Sequence, residues 1–175
     1  MPAVHAVALP AGTLIEHAFA RPDYADAYAA RLPPGAPADI DALVVAALTS
    51  APAWVGALMA LRDRVVRLAG LKTMPPGALR GPRPRDLETL AQRGLFKVYA
   101  RAEDEVLLGL DDRHLDFRVS VLRAPISGGE EVVVSTVVRF NGWLGRLYFL
   151  PVRFFHRLVV PAMLRRGLRT LANGA

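Results

Sequence analysis

The stretch that decides the fold is Leu107-Leu-Gly-Leu-Asp-Asp-Arg-His-Leu-Asp-Phe-Arg-Val-Ser-Val121. From Arg113 onward its residues alternate, and successive side chains of a strand point to opposite faces of the sheet. The apolar side carries Leu115, Phe117, Val119 and Val121, and the polar side carries His114, Asp116, Arg118 and Ser120. A strand of this kind either exposes its polar face to water or builds a site with it, and the pattern is compatible with both.

Further strands are predicted on either side of this stretch. Their connections are too short for a crossover, so the strands must form an antiparallel meander. Residues 131–140 also alternate, but both of their sides are mostly apolar, which predicts a strand covered on both faces or lying beside a cavity. The predicted strands are 95–101, 105–110, 113–124 and 131–141.

The first half of the chain is predicted to be mainly helical. Short strands at 14–19 and 27–32 precede a helix that begins after the N-cap Asp39. Pro52 opens a second helix with one apolar stripe, formed by Trp54, Leu58, Leu61, Val65 and Leu68. Residues 72–86 are rich in proline, glycine and arginine and are predicted to form a loop, a candidate lid. Residues 143–171 are predicted to form a long final helix.

Composition limits the class of protein. A chain of 175 residues with 53% hydrophobic and 22% charged residues is expected to be one globular domain. It has no cysteine, which excludes disulfides, thiolate metal sites and a cysteine nucleophile. The N-terminus does not read as a signal peptide, and Arg153, His156 and Arg157 interrupt the later apolar runs. We therefore expect a cytoplasmic protein without a membrane span.

Several short motifs carry a family resemblance. The chain is similar to a bacterial family catalogued as a domain of unknown function, with a START-like (Bet v 1-like, SRPBCC-type) helix-grip fold. The resemblance covers about residues 20–170, and other members are fused behind short-chain-dehydrogenase-like NAD-binding domains. It implies an α+β fold, with a curved antiparallel sheet wrapped around a long C-terminal helix. The motifs are Pro52-Ala-Trp54, Leu61-Arg-Asp63, Gly70-Leu-Lys72, Gly109–Arg118, Ser135-Thr-Val137, Gly145-Arg-Leu-Tyr148 and Phe155-His-Arg157.

The polar residues of the opening stretch are candidates for a metal or catalytic site. Oxygen and imidazole groups at Asp111, Asp112, His114 and Asp116 suit a divalent cation. Aspartates at a tight turn also cap backbone N–H groups, and a polar row on a strand is usually solvated. No second ligand segment is visible, so we expect neither a metal nor a cofactor. The row His114, Asp116 and Arg118 remains a candidate catalytic row.

The favoured function is binding of a small apolar ligand between the sheet and the last helix. A pocket of this kind needs an apolar lining with a few polar groups. The candidate lining residues are Phe96, Phe117, Arg118, Ser135, Phe140, Tyr148 and Phe155, and we expect Tyr148 and Phe155 to pack on the sheet. No phosphate loop, dinucleotide fingerprint or hydrolase motif is present in the sequence.

The C-terminal segment is basic. The net charge is +6, and after Glu131 the chain has seven arginines and no acid. Arg146, Arg153 and Arg157 fall on one side of the last helix and are expected to be exposed. A solvated face explains them, while self-association as a homodimer or docking on a partner stays open. We expect no nucleic-acid binding, because no binding motif accompanies the arginines, and no attachment to a membrane surface.

Overall fold

The computed structural model describes residues 3–68, 84, 86–92, 94 and 96–173. Within them it has an α+β fold, a six-stranded antiparallel sheet with four helices. The strands are β1 (Val4–Val7), β2 (Tyr24–Arg31), β3 (Lys97–Arg101), β4 (Glu105–Asp111), β5 (Leu115–Ile126) and β6 (Gly129–Phe140). The helices are α1 (Ile40–Thr49), α2 (Ala53–Leu68), α3 (Leu87–Gln92) and α4 (Trp143–Ala172). Most of the loop 72–86, the candidate lid, lies outside the described residues.

The sheet is built around the long β5–β6 hairpin. Its strand order is β1-β2-β6-β5-β4-β3, so the predicted antiparallel meander from β3 to β6 is confirmed. The hairpin turns at Gly128 and Gly129, both with positive φ, a conformation that favours glycine. On the other side of β6, β2 returns to pair with it, and β1 adds an edge strand that the sequence analysis did not predict.

One face of the sheet, here called the helix face, is covered by α1 and the second half of α4. The largest buried cluster lies there, because the apolar sides of β4, β5 and β6 meet the apolar sides of both helices. It includes Leu43, Val44, Leu108, Val121, Val132, Val134, Leu164 and Leu168.

The opposite face, here called the outer face, is covered by the N-terminal segment 8–23. Ile15 and Phe19 pack there against Leu107 and Val137. The predicted strand at 14–19 is wrong, because this segment forms turns. The backbone N–H groups of Leu14 and Ile15 donate to the buried carboxylate of Glu105 at 2.7 and 3.3 Å, so a side chain takes the place of a partner strand.

The β6 strand is therefore covered on both faces, as its two apolar sides predicted. Val132 and Val134 belong to the cluster on the helix face, while Val133 and Val137 pack in clusters on the outer face. Both covers are needed, since either one alone would leave a row of valines in water.

The α4 helix approaches its neighbours at two glycines. A Cβ on Gly145 would lie 1.9 Å from the carbonyl oxygen of His114, and one on Gly167 would lie 2.3 Å from that of Ala46. The two contacts hold the start of the helix against the β4–β5 turn and its end against α1. The predicted placement of the last helix against the sheet is confirmed for this inner side.

Some large apolar residues are not in the core where the sequence placed them. Phe155 is 37% exposed and packs edge-on against Phe154, so the expected burial of Phe155 against the sheet is wrong. On α2, Trp54 is 45% exposed and Leu61 is 57% exposed. Periodicity identified these helices but not which side of each helix meets the sheet.

The helix–helix contact at Gly167 gives a first prediction. Gly167→Ala is expected to lower the free energy of unfolding by about 1–3 kcal/mol, because the new methyl group meets the backbone of α1. Gly56→Ala, in α2, is the matched control, since nothing lies within 4 Å of its added Cβ. Alanine should stabilise that helix by up to about 1 kcal/mol. Urea unfolding measures the free energy of unfolding of both variants. An equal gain in the two variants would contradict the close packing at Gly167.

A second prediction concerns the cover of the outer face. Glu105→Ala leaves the N–H groups of Leu14 and Ile15 and the hydroxyl of Ser120 without their shared acceptor. Loss of these charge-assisted bonds should cost about 3 kcal/mol in urea unfolding. The exposed Glu103→Ala serves as control, with an expected change within about 0.5 kcal/mol. Similar values for the two variants would show that Glu105 does not anchor the segment.

Candidate functional site

Two polar clusters lie on opposite faces of the sheet. The first is on the outer face and contains the row that the sequence singled out. Asp116, Arg118 and Ser120 do share this face, and all three are buried. Phe19 of the N-terminal segment covers Arg118, and Ser120 shares the carboxylate of Glu105 with Leu14 and Ile15 of that segment. The row is therefore separated by the sheet from the site expected between the sheet and α4.

Arg118 is held from three sides. Its guanidinium donates to the carboxylate of Asp111 at 2.7 Å and to the backbone oxygen of Phe117 at 2.9 Å. Its Cζ atom lies 3.5 Å from the ring centroid of Tyr99 and 5.0 Å from that of Phe19. Stacking between aromatic rings and pairing with a carboxylate satisfy a buried guanidinium. Arg118 is a structural cation that fixes Phe19 over the sheet.

The carboxylate of Asp116 is equally occupied. It accepts from Arg139 at 2.6 Å, from the side-chain amide of Asn141 at 2.9 Å and from the backbone of Asp112 at 3.3 Å. A carboxylate with three donors is stabilised as the anion but has little capacity left for a substrate. Three donors therefore hold Asp116 within the hydrogen-bonded network of the outer face.

His114 does not belong to this row, although the alternation placed it there. The strand begins one residue later, and His114 lies in the β4–β5 turn, buried edge-on against the ring of Tyr148 at 4.7 Å. Its Nδ1 is 3.4 Å from a carboxylate oxygen of Asp112. Among the described residues, no three histidine or acidic side chains are placed to hold a metal ion together, including Asp111, Asp112, His114 and Asp116.

The expected pocket lining is divided between the two faces. Phe96 and Phe117 pack on the main cluster, and Phe140 and Tyr148 lie beside Phe149 at the start of α4, all on the helix face. Arg118 and Ser135 lie on the outer face, so they cannot line the same pocket. The Ser135 hydroxyl is buried without a hydrogen-bond partner among the described residues. Alternation could not assign these residues to the correct face, because both faces of the sheet are buried.

The second cluster lies on the helix face and was missed in the sequence. Asp26 of β2 and Thr136 of β6 are directly paired across the strands. The hydroxyl of Tyr24 donates to Asp26 at 2.6 Å, and the Nε2 atom of His156, from α4, lies 3.3 Å from Asp26 and 3.2 Å from Thr136. Tyr24, Asp26, Thr136 and His156 are here called the inner polar cluster.

The geometry of the inner polar cluster limits its chemistry. Asp26 and Thr136 both approach the same ring nitrogen of His156, so the ring cannot pass a proton from one to the other, as a serine-type triad requires. The other ring nitrogen, Nδ1, has no hydrogen-bond partner among the described residues. With Nε2 held by Asp26, the ring is oriented to offer Nδ1 to another group.

Burial and nearby charges shift the pKa values of the two tyrosines around this cluster. Burial, with the hydrogen bond and negative charge of Asp26, raises the pKa of Tyr24, so its hydroxyl stays protonated as the donor to Asp26. Burial raises the pKa of Tyr28 for the same reason, and Asp26 adds to it. Arg157 lowers both pKa values, which places its positive charge close to the two phenol groups.

Two signals in the sequence point to the inner polar cluster. Tyr24, Asp26 and Tyr28 are spaced by two on a strand and therefore share one face. His156 is an isolated histidine within an apolar helical run. Neither signal is specific, because the pairing of β2 with β6 and the crossing of α4 over both strands bring the residues together only in the tertiary structure.

Two pockets of the described residues lie away from the inner polar cluster. The one between α1, β6 and the end of α4, lined by Leu43, Val132 and Leu168 among others, has no room for a water molecule. An open groove of about 270 Å³ lies on the other side of the sheet, beside Thr13, His17 and Asp104. The first of these pockets therefore leaves no space for a ligand between α1, β6 and the end of α4.

The order of elements, the sheet and the crossing helix fit a helix-grip-like fold. The model of the family described as "Protein of unknown function (DUF2867)" matches residues 18–163. The chain belongs to this DUF2867 family. No curated protein and no solved structure matches it. In this DUF2867 chain all four members of the inner polar cluster, and Arg118, fall within the matched residues.

The hydrogen bonds on the outer face of this DUF2867 chain predict that its free energy of unfolding depends on pH. The hydrogen bond from Arg118 lowers the pKa of Asp111 below its ordinary value of 3.8. A lowered pKa in the folded state contributes stability above pH 3.8, which is lost as the pH falls through the folded-state value. The difference in unfolding free energy between wild type and Asp111→Asn should thus shrink on acidification below pH 3.8.

Urea unfolding at a series of pH values measures this difference. Repeating the comparison in an Arg118→Gln background is the control, because the largest cause of the shift is then removed. A pH-dependent difference that persists unchanged in that background would show that another group is responsible.

Proposed function

We propose that the protein binds a small amphiphilic ligand at the inner polar cluster, with the polar end of the ligand at His156 and its apolar part along the first half of α4. The observation that carries the proposal is the half-buried His156, held through Nε2 by Asp26 and Thr136 and with no partner for Nδ1 among the described residues. A polar group oriented in this way, beside aromatic rings, is typical of a ligand site.

The surroundings of the cluster favour an apolar ligand body. Tyr24 packs edge-on against Phe149 at 4.8 Å, and Phe149 lies 5.3 Å from Phe140. These rings and the partly exposed side of α4 offer apolar surface next to the polar groups. We place the ligand along this edge, because the pocket at the other end of α4 has no room for a water molecule.

The charges favour an anionic group on the ligand. Arg157 lies close enough to Tyr24 and Tyr28 to lower their pKa values and supplies a permanent positive charge. Asp26 is already engaged by Tyr24 and His156. A carboxylate or similar oxyanion would therefore pair with the guanidinium of Arg157. With a proton on both ring nitrogens, His156 donates through Nδ1 to the oxyanion, as it does through Nε2 to Asp26.

Titration with decanoate, followed by NMR of backbone and histidine signals, tests the proposal. We expect saturable shifts centred on Tyr24, Asp26 and His156, and weaker shifts with decanol, which has the same chain without the charge. His156→Gln should weaken decanoate binding about tenfold or more, the loss of a charge-assisted hydrogen bond. His17→Gln, on the exposed outer side, is the matched control.

Two outcomes would contradict the proposal. Shifts of equal size for decanoate and decanol would show that the polar cluster does not recognise the charged group of the ligand. Shifts centred on the groove beside His17 would move the site to the other side of the sheet. Native mass spectrometry of the protein purified from its own cells complements the titration, because a retained anionic amphiphile would identify the ligand directly.

A further inference from the structure

The outward side of α4 carries an exposed apolar stripe. Its members recur at spacings of four and three, which places them on one side of a helix. Their exposed fractions are 75% for Trp143, 56% for Leu147, 63% for Leu150, 65% for Phe154 and 51% for Leu158. These five residues are here called the outer stripe.

The outer stripe lies opposite the side of α4 that packs on the sheet. Gly145 and Phe149 are buried on the inner side, and His156 contacts β2 and β6 there. At 100° per residue, these three positions point about half a turn away from the stripe. Scattered exposed apolar residues need no explanation, but a continuous row of five marks a surface that binds something.

The flank of the stripe is positively charged. Arg146, Arg153 and Arg157 are all exposed, as predicted, and fall beside the stripe on one side of the helix. The segment from residue 132 to the C-terminus contains no acid that could offset them. An apolar strip bordered by arginines and ending in an exposed tryptophan is complementary to an anionic lipid surface.

The docking of α4 determines how it can meet a membrane. By length and composition the helix is apolar enough to cross a bilayer. Of the 18-residue stretch of the helix that meets this criterion, 17% is buried. Its inner side is nevertheless fixed to the sheet by Phe149 and to α1 by Leu164 and Gly167. Held in this way, α4 can only lie in the plane of the surface, where Trp143 to Leu158 would cover about 22 Å.

A second copy of the chain is a poorer occupant. A two-fold contact uses the same patch on both copies, so two strips bordered by Arg146, Arg153 and Arg157 would face each other without any acid on either helix. Repulsion between the like charges opposes that arrangement, whereas anionic headgroups would neutralise the arginines.

We propose that the outer stripe of α4 attaches this protein to anionic membrane surfaces, with the helix parallel to the surface. The proposal reverses the sequence-based expectation of no membrane attachment, since the sequence could not show that these residues point away from the sheet. It does not depend on the proposed ligand, because the outer stripe, Arg146 and Arg153 lie apart from the inner polar cluster. Among the three flanking arginines, Arg157 is the one that also lies near Tyr24 and Tyr28.

Vesicle sedimentation tests the electrostatic part. The full chain should bind vesicles that mix phosphatidylcholine with phosphatidylglycerol, bind phosphatidylcholine vesicles poorly, and dissociate at high salt. Arg146→Gln with Arg153→Gln should weaken partitioning roughly 30-fold, from about 1 kcal/mol per basic residue near the surface. The matched control, Arg21→Gln with Arg113→Gln, removes two exposed arginines outside α4 and should change binding little.

The fluorescence of Trp143 tests the apolar part. In a Trp54→Phe background Trp143 is the sole tryptophan, and its emission should shift to the blue on binding and be quenched by brominated acyl chains. Leu150→Ser with Phe154→Ser should abolish the shift without lowering the melting temperature, because both residues are already exposed.

Three results would overturn the proposal. The first is equal binding to neutral and mixed vesicles, and the second is binding that the serine pair leaves unchanged. The third is a stable dimer in analytical ultracentrifugation that the serine pair dissociates, which would assign the stripe to self-association. Decanoate binding at His156 is measured separately, so either proposal can fail without the other.

Discussion

The sheet has two apolar faces, and the need to cover both of them governs the rest of the structure. In β6, Val132 and Val134 point to one side while Val133 and Val137 point to the other. Exposing either face to water would lose the free energy gained by burying a whole row of valines. The α1 and α4 helices cover one side, and the segment 8–23, which has no regular secondary structure, covers the other. That segment has no partner strand, so buried side chains must accept hydrogen bonds from its backbone N–H groups and keep it on the sheet.

The polar residues of the outer face have this structural task. Glu105 accepts the backbone N–H groups of Leu14 and Ile15, and Arg118 and Arg139 lie within about 5 Å of the ring centroid of Phe19. Burying a charge is costly unless it is paired or hydrogen-bonded. Glu105 accepts three hydrogen bonds, and Arg118 is paired with Asp111. The composition of the row resembles that of a catalytic site, but the residues hold the cover of the sheet in place.

The α4 helix has different roles on its two sides. Its inner side brings His156 to Asp26 and Thr136 and packs the second half of the helix against α1. Its outer side exposes Trp143, Leu147, Leu150, Phe154 and Leu158. A helix buried against one sheet needs only one apolar side, so the second apolar side has to be explained by something outside the described residues. The proposed ligand and the proposed membrane contact assign a function to each side.

The family resemblance of the sequence implied the α+β fold class. The sequence by itself determined the meander from β3 to β6, the two apolar sides of β6 and the existence of α1, α2 and α4. These follow from local periodicity, turn residues and capping, which depend on neighbouring positions along the chain. Only the tertiary structure decided which face each polar residue occupies. Arg118 is covered by Phe19, about 100 positions earlier, and His156 reaches Asp26 across 130 positions. Alternation shows that two sets of side chains are separated, but it does not show what lies over each set, because that depends on long-range packing.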